Sequence, residues 1–127
     1  MPFKAISIIA AISGLCVVVL SALVAHGFKA YLTNDELSHL DTALVYQGFH
    51  TLILLLVVAI FRSRPRGYRL ASIASIFFIL GIVLFSGLLY LDYLVSFGMF
   101  HSFIPVGGTC FMIGWVMLIA AFFRMDH

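Results

Sequence analysis

Charge is what this chain has least of. Only 9% of its 127 residues are Asp, Glu, Lys or Arg. Soluble domains carry about a quarter, so a soluble globular protein is excluded. No Asp or Glu falls inside any of the long apolar stretches. That weighs against a proton-coupled exporter, which needs an intramembrane carboxylate or a comparable titrating group. Cysteine is equally scarce. Cys16 and Cys110 lie far apart with no CxxC, so there is neither a disulfide framework nor a thiolate metal site. Both read as small apolar fillers. There is no GxSxG and no HExxH, so common hydrolase and metalloprotease signatures are missing and the chain is not expected to be an enzyme. No internal repeat suggests a duplicated transporter fold.

What is present is hydrophobicity, at 64% of residues. It is gathered into four runs, Lys4–Ala25, Ala43–Phe61, Leu70–Leu91 and Phe103–Phe123. A bilayer core of ~30 Å needs ~20 apolar helical residues, so each run is long enough to span. The first run is longer than the 7–15 residues of a signal-peptide core, and is read as a span. The sequence thus predicts one domain over residues 1–127, an all-α four-helix transmembrane bundle. Lys4, Arg62, Arg64, Arg66, Arg69 and Arg124 fall on one side of it, and Lys29 with Asp35, Glu36, Asp41 and Asp92 on the other. Basic residues in short loops stay cytoplasmic. The expected topology is therefore N-in and C-in, as two antiparallel helical hairpins. Topology also accounts for the RSRPRGYR loop, so no nucleic-acid partner is expected. The partners expected are membrane lipids and either another protein or a second copy of the chain.

Local signals refine the helices. Thr33 followed by Glu36 fits a capping box, so the second helix is expected to start outside the membrane. Pro65-Arg66-Gly67 marks a tight turn. Tyr90, Tyr93 and Phe97 fit an interfacial aromatic belt. Pro105 suits the first turn of the fourth helix. Ser7, Ala11, Gly14, Ser21 and Ala25 form a small-residue stripe with Val18 at helical spacing. In lipid, small faces let helices approach closely. The stripe is therefore expected to pack against a neighbouring helix, of this chain or of another. Gly107, Gly108 and Gly114 are expected to allow close approach on the fourth helix.

The polar residues of the spans concentrate toward one leaflet. At ~1.5 Å per residue, His50 lies roughly 17 Å from the arginine-rich side, near the bilayer middle. Tyr46 and Gln47 share its face at four and three residues. Buried polar groups in lipid face the bundle interior or a cavity. A polar cluster of Tyr46, Gln47, His50, Ser86 and Tyr90, with His26 near its mouth, is the candidate site. Its alternatives are a network that only holds helices together, and a site that binds or passes a small solute or proton. Shared haem ligation by His26 and His50 fails on depth, since the two differ by roughly 15 Å along regular helices. Zinc at His26, His39 and His101, with Asp92 or Asp41, lacks any tight spacing. No metal or cofactor is predicted.

Five segments occur in this order: Ala10-Ala11-Ile12-Ser13-Gly14, Ala25-His26-Gly27, Tyr46-Gln47-Gly48-Phe49-His50, Leu84-Phe85-Ser86-Gly87-Leu88-Leu89-Tyr90 and Pro105-Val106-Gly107-Gly108. This pattern resembles the YgdD-type bacterial inner-membrane family, small four-helix proteins of unknown function, with the eukaryotic transmembrane protein 256 group a distant relative. The resemblance implies a multi-pass protein of the bacterial inner membrane with no assigned enzyme activity, linked to membrane integrity. It places family positions on His26, Tyr46, Gln47, His50, Ser86, Gly87, Tyr90, Pro105, Gly107 and Gly108. Leu88 and Ile104 stand where a serine and a threonine are common, which argues against a long hydrogen-bonded path through the bundle. The leading expectation is a non-enzymatic protein that binds a partner or lipid and supports membrane integrity. The alternative is an outward-open solute or proton site.

Overall fold

The computed structural model describes residues 1–95, 98 and 100–125. Phe97 and His127 therefore lie outside the described residues. The order of elements is α1 (Phe3–Leu23), a π-helical turn (Val24–Phe28), α2 (Asn34–Phe61), α3 (Tyr68–Gly81), a second π turn (Ile82–Gly87), α4 (Leu88–Leu94), a 3-10 turn (His101–Phe103) and α5 (Ile104–Phe123). Consecutive pieces join into four helices, Phe3–Phe28, Asn34–Phe61, Tyr68–Leu94 and His101–Phe123, each long and apolar enough to cross a bilayer. The described residues are all-helical, without a strand.

The helix ends follow from local chemistry. Glu36 N–H donates to Thr33 Oγ1 at 3.3 Å, and Thr33 N–H donates to the Glu36 carboxylate at 2.8 Å. This reciprocal cap starts α2 at Asn34. Before α3 the chain turns at Gly67 with φ +88°, a left-handed conformation that glycine adopts without penalty. A Cβ there would also lie 2.8 Å from the Ala121 carbonyl oxygen, so the turn is held against the end of α5. Pro105 sits in the first turn of α5, where its missing N–H costs nothing.

Packing pairs α1 with α2 and α3 with α5, and α2 also meets the third span. The main core gathers Phe3, Ile6 and Ala10 from α1 with Leu54, Val57 and Phe61 from α2. Ala71, Ala74 and Phe78 of α3, and Phe111, Leu118 and Ala121 of α5, complete it. It occupies the arginine-bearing half of the bundle. A smaller cluster of Ala43, Leu89 and Ile104 closes the opposite half. Leu15, Val18, Val45, Leu52 and Val116 all point outward and are exposed, the inverse of a soluble protein and the surface that lipid requires.

The contact between the third and fourth spans is set by glycine. A Cβ on Gly107 would stand 2.4 Å from Phe85 N and 2.6 Å from the Leu84 carbonyl carbon, so α5 crosses directly over the π turn. Gly81 seats the Phe111 ring and Gly114 seats the Phe78 ring, where added Cβ atoms would approach to 2.4 and 2.6 Å. Each helix thus offers one glycine and one phenylalanine to the other.

The small-residue stripe on α1 lies mostly outside the core of this chain. Ser7 and Gly14 are half-buried, but Ala11, Val18, Ser21 and Ala25 are exposed. The face of α1 turned to the core carries Phe3, Ile6, Ala10 and Ser13 instead. The reason is chemical: Ser13 must meet polar partners on α2, which rotates the stripe to the flank. Cys16, expected as a filler, is also exposed, whereas Cys110 is buried.

Candidate functional site

The helix α2 divides the polar residues between two faces. Leu40, Ala43, Gln47, Thr51, Leu54 and Phe61 are all buried. Gln47 and Thr51 are one helical turn apart and turn toward α1. There Ser13 Oγ and Thr51 Oγ1 are 2.7 Å apart. Gln47 Nε2 donates to the Ser13 carbonyl and to Ser13 Oγ, both at 3.2 Å. Gly14 and Gly48 lie in this contact, but a Cβ on either would meet Thr51 Cγ2 at 3.8 Å or Val17 Cγ1 at 3.7 Å, ordinary contact distances, so the approach does not depend on glycine there. From the third span, Tyr90 O–H donates to Gln47 Oε1 at 2.7 Å. Tyr90, Gln47, Ser13 and Thr51 therefore form one chain of hydrogen bonds across three spans.

Ser86 joins separately. Its hydroxyl, in the π turn, donates to the Ala43 carbonyl at 2.8 Å and is fully buried. The widened turn brings the hydroxyl to α2, and π turns recur at such sites. Of the expected cluster, Gln47 and Tyr90 bond each other, while Ser86 bonds the backbone of α2. His26 does not join them: it is exposed in the first π turn. Ser13 and Thr51 belong to the network and were not singled out. Thr51 carried a usable signal, since it stands four residues after Gln47 in an apolar run.

Tyr46 and His50 occupy the other face. His50 is 3% exposed, and its Nδ1 lies 2.8 Å from the Tyr46 carbonyl. The imidazole stacks on Phe111 with ring centroids 3.7 Å apart. Phe49, Phe78 and Trp115 surround it. His50 Nε2 is buried and has no hydrogen-bond partner among the described residues.

Beside this histidine lies a cleft of about 520 Å³ between the second and fourth spans. Val45, Tyr46, Phe49 and His50 line it from α2, and Phe85 from the third span. Pro105, Gly108, Thr109, Phe111, Met112 and Trp115 line it from α5. From Pro105 to Trp115 it runs roughly 15 Å along that helix at ~1.5 Å per residue. Buried His50 and Phe111 form its inner wall, while Val45, Phe49 and Met112 are exposed at its rim. Two of the family glycines therefore differ in role. Gly107 packs on backbone, but a Cβ on Gly108 would meet nothing within 4 Å, and Gly108 keeps the cleft open.

His39 and His101 lie toward the opposite end of the bundle from the arginines. His39 stacks on Tyr93 at 5.1 Å and lies 3.7 Å from Asp35. His101 Nδ1 is 3.0 Å from Asp92. No three His, Cys, Asp or Glu residues are grouped to hold a metal among the described residues.

Comparison with known proteins agrees with this architecture. The family model described as "Protein of unknown function (DUF423)" matches residues 20–108. A "UPF0382 membrane protein" of Haemophilus influenzae is 38% identical over 114 residues, covering 90% of each chain. The "UPF0382 inner membrane protein YgdD" of Escherichia coli K12 is 36% identical, over 94% of this chain and 90% of that one. The "UPF0382 membrane protein YwdK" of Bacillus subtilis is 33% identical, over 93% of this chain and 95% of that one. No solved structure matches the chain. Four spanning helices and relatives named as inner-membrane proteins lead to one assignment: the chain is an integral inner-membrane protein belonging to the DUF423 family, whose function is unknown.

Proposed function

We propose that the protein is a non-enzymatic membrane component that holds a lipid chain in the cleft between its second and fourth spans and so supports membrane integrity. The observation that carries this reading is the cleft itself, elongated, walled mostly by apolar and aromatic side chains, and rimmed by exposed apolar residues. Ligand sites are typically concave and apolar with few polar groups, and this one has His50, Thr109, the Tyr46 hydroxyl and the Trp115 indole N–H. With the arginine-rich turn in the cytosol, as the basic residues favour, the cleft lies in the outer leaflet. The test is native mass spectrometry of protein released from its membrane. One lipid is expected to co-purify per chain, and Gly108→Leu, which fills the cleft, is expected to lose it. Equal lipid retention by both proteins would end this reading.

Passage of a solute or proton through Tyr46, Gln47, His50, Ser86 and Tyr90 is the second reading, favoured by the unpaired Nε2 of His50. Against it, Gln47, Ser86 and Tyr90 direct their polar atoms to one another and to backbone. Such a closed network suits packing better than conduction. Proton flux into liposomes that disappears with His50→Ala would favour passage over lipid binding.

A further inference from the structure

Among the described residues two buried side-chain polar atoms have no hydrogen-bond partner, Asp92 Oδ1 and His50 Nε2, and of the two it is the histidine that lines the cleft. The chemistry of Nε2 is set by the other ring nitrogen. The Tyr46 carbonyl can only accept, so Nδ1, 2.8 Å away, must carry the proton and donate it. In the neutral ring, Nε2 is then a bare lone pair, an acceptor without a donor. Among the described residues no carboxylate lines the cleft to pair with a charged ring. A buried polar group without a partner carries a desolvation cost, and here it adjoins an open apolar cleft.

We infer that the cleft selects an apolar molecule bearing a hydroxyl group, a long-chain or polycyclic alcohol of the membrane, whose O–H donates to His50 Nε2. This deepens the lipid-binding reading and rests on it. The direction of the hydrogen bond is what discriminates. A ketone, ester or ether oxygen can only accept, and would set two lone pairs against each other. A hydroxyl supplies the missing proton. The apolar body lies along Phe85, Gly108, Met112 and Trp115, toward Pro105. Nε2 exposes less than 1 Å², so a ring must turn aside for the hydroxyl to arrive. Tyr46 and Phe49 are placed to do so, being 43% and 52% exposed at the rim.

The chain contains one tryptophan, Trp115, and it lines the cleft, so its emission reports occupancy. Purified protein in detergent is titrated with hexadecanol, with hexadecyl methyl ether and with hexadecane. Hexadecanol is expected to give a saturable change at concentrations roughly two- to tenfold lower than the ether or the alkane, the worth of one net hydrogen bond. In His50→Phe, which keeps an aromatic ring and removes the lone pair, the three probes are expected to bind alike. Gly108→Leu is expected to abolish all three signals. Equal binding of the three probes by the unaltered protein would overturn the hydroxyl requirement and leave the apolar cleft standing. Absence of a saturable signal from every probe would overturn both. The probe series on the unaltered protein decides the matter even if His50→Phe does not fold.

Discussion

Substituting Gly107 by alanine tests the architecture most directly. An added Cβ would lie 2.4 Å from Phe85 N, 2.6 Å from the Leu84 carbonyl carbon and 2.8 Å from Phe85 Cα. Ordinary contact begins at 3.4 Å, so α5 and the π turn must part by about 1 Å. All three obstructing atoms are backbone, and no rotamer change can clear them. A gap of that size forfeits about a quarter to a half of each dispersion contact it opens, and overpacked cores lose about 1–3 kcal/mol. Gly107→Ala is expected at the upper end, about 3 kcal/mol. The neighbouring Gly108→Ala is the control. Its Cβ meets nothing within 4 Å, and replacing a helical glycine stabilises by about 0.4–1 kcal/mol where the backbone allows it. The assay is equilibrium unfolding in mixed micelles of mild detergent and dodecyl sulfate, followed by circular dichroism. Equal midpoints for the two variants, or a larger loss in Gly108→Ala, would refute the close crossing at Gly107.

A double-mutant cycle between Gln47→Leu and Tyr90→Phe should give a coupling of about 0.5–1.5 kcal/mol, in the range measured for hydrogen bonds between membrane helices; additive effects would mean that the 2.7 Å bond contributes nothing. Gly67→Ala combines φ +88° with a 2.8 Å approach to the Ala121 carbonyl and should cost about 1–3 kcal/mol, read as a lowered unfolding midpoint. Thr33→Ala removes the cap of α2 and should cost about 0.5–2 kcal/mol, with amide exchange accelerating over residues 34–37 only. His26→Ala should leave the Tyr90–Gln47 coupling unchanged, because His26 is exposed and outside the network; a changed coupling would place it in the cluster.

Much of this was legible along the chain. Four apolar runs, a capping box and a glycine turn fix helices through short-range chemistry, and all three appear in place. Gln47 and Tyr90 were readable only as members of one polar cluster, since a glutamine in lipid needs a partner that spacing does not name. Cleft and network were not separable in the same way. Tyr46, Gln47 and His50 differ by only a few residues, yet Gln47 turns to α1 and His50 to α5. That division depends on the rotation of α2 about its axis, which a spacing of three or four does not specify.

By itself the sequence determined that the chain is a membrane protein of four helices, because hydrocarbon admits only apolar surface and demands that backbone groups bond within the helix. Tertiary structure alone decided which small residues face the core. Ala11 and Ser21 lie outside while Ser13 lies within, because Ser13 bonds Gln47 and Thr51 across a gap that only the assembled bundle creates. It also decided that Gly107 closes a contact while Gly108 opens a cleft. Adjacent residues on a helix stand about a hundred degrees apart, and only the position of the neighbouring span tells which of them meets it.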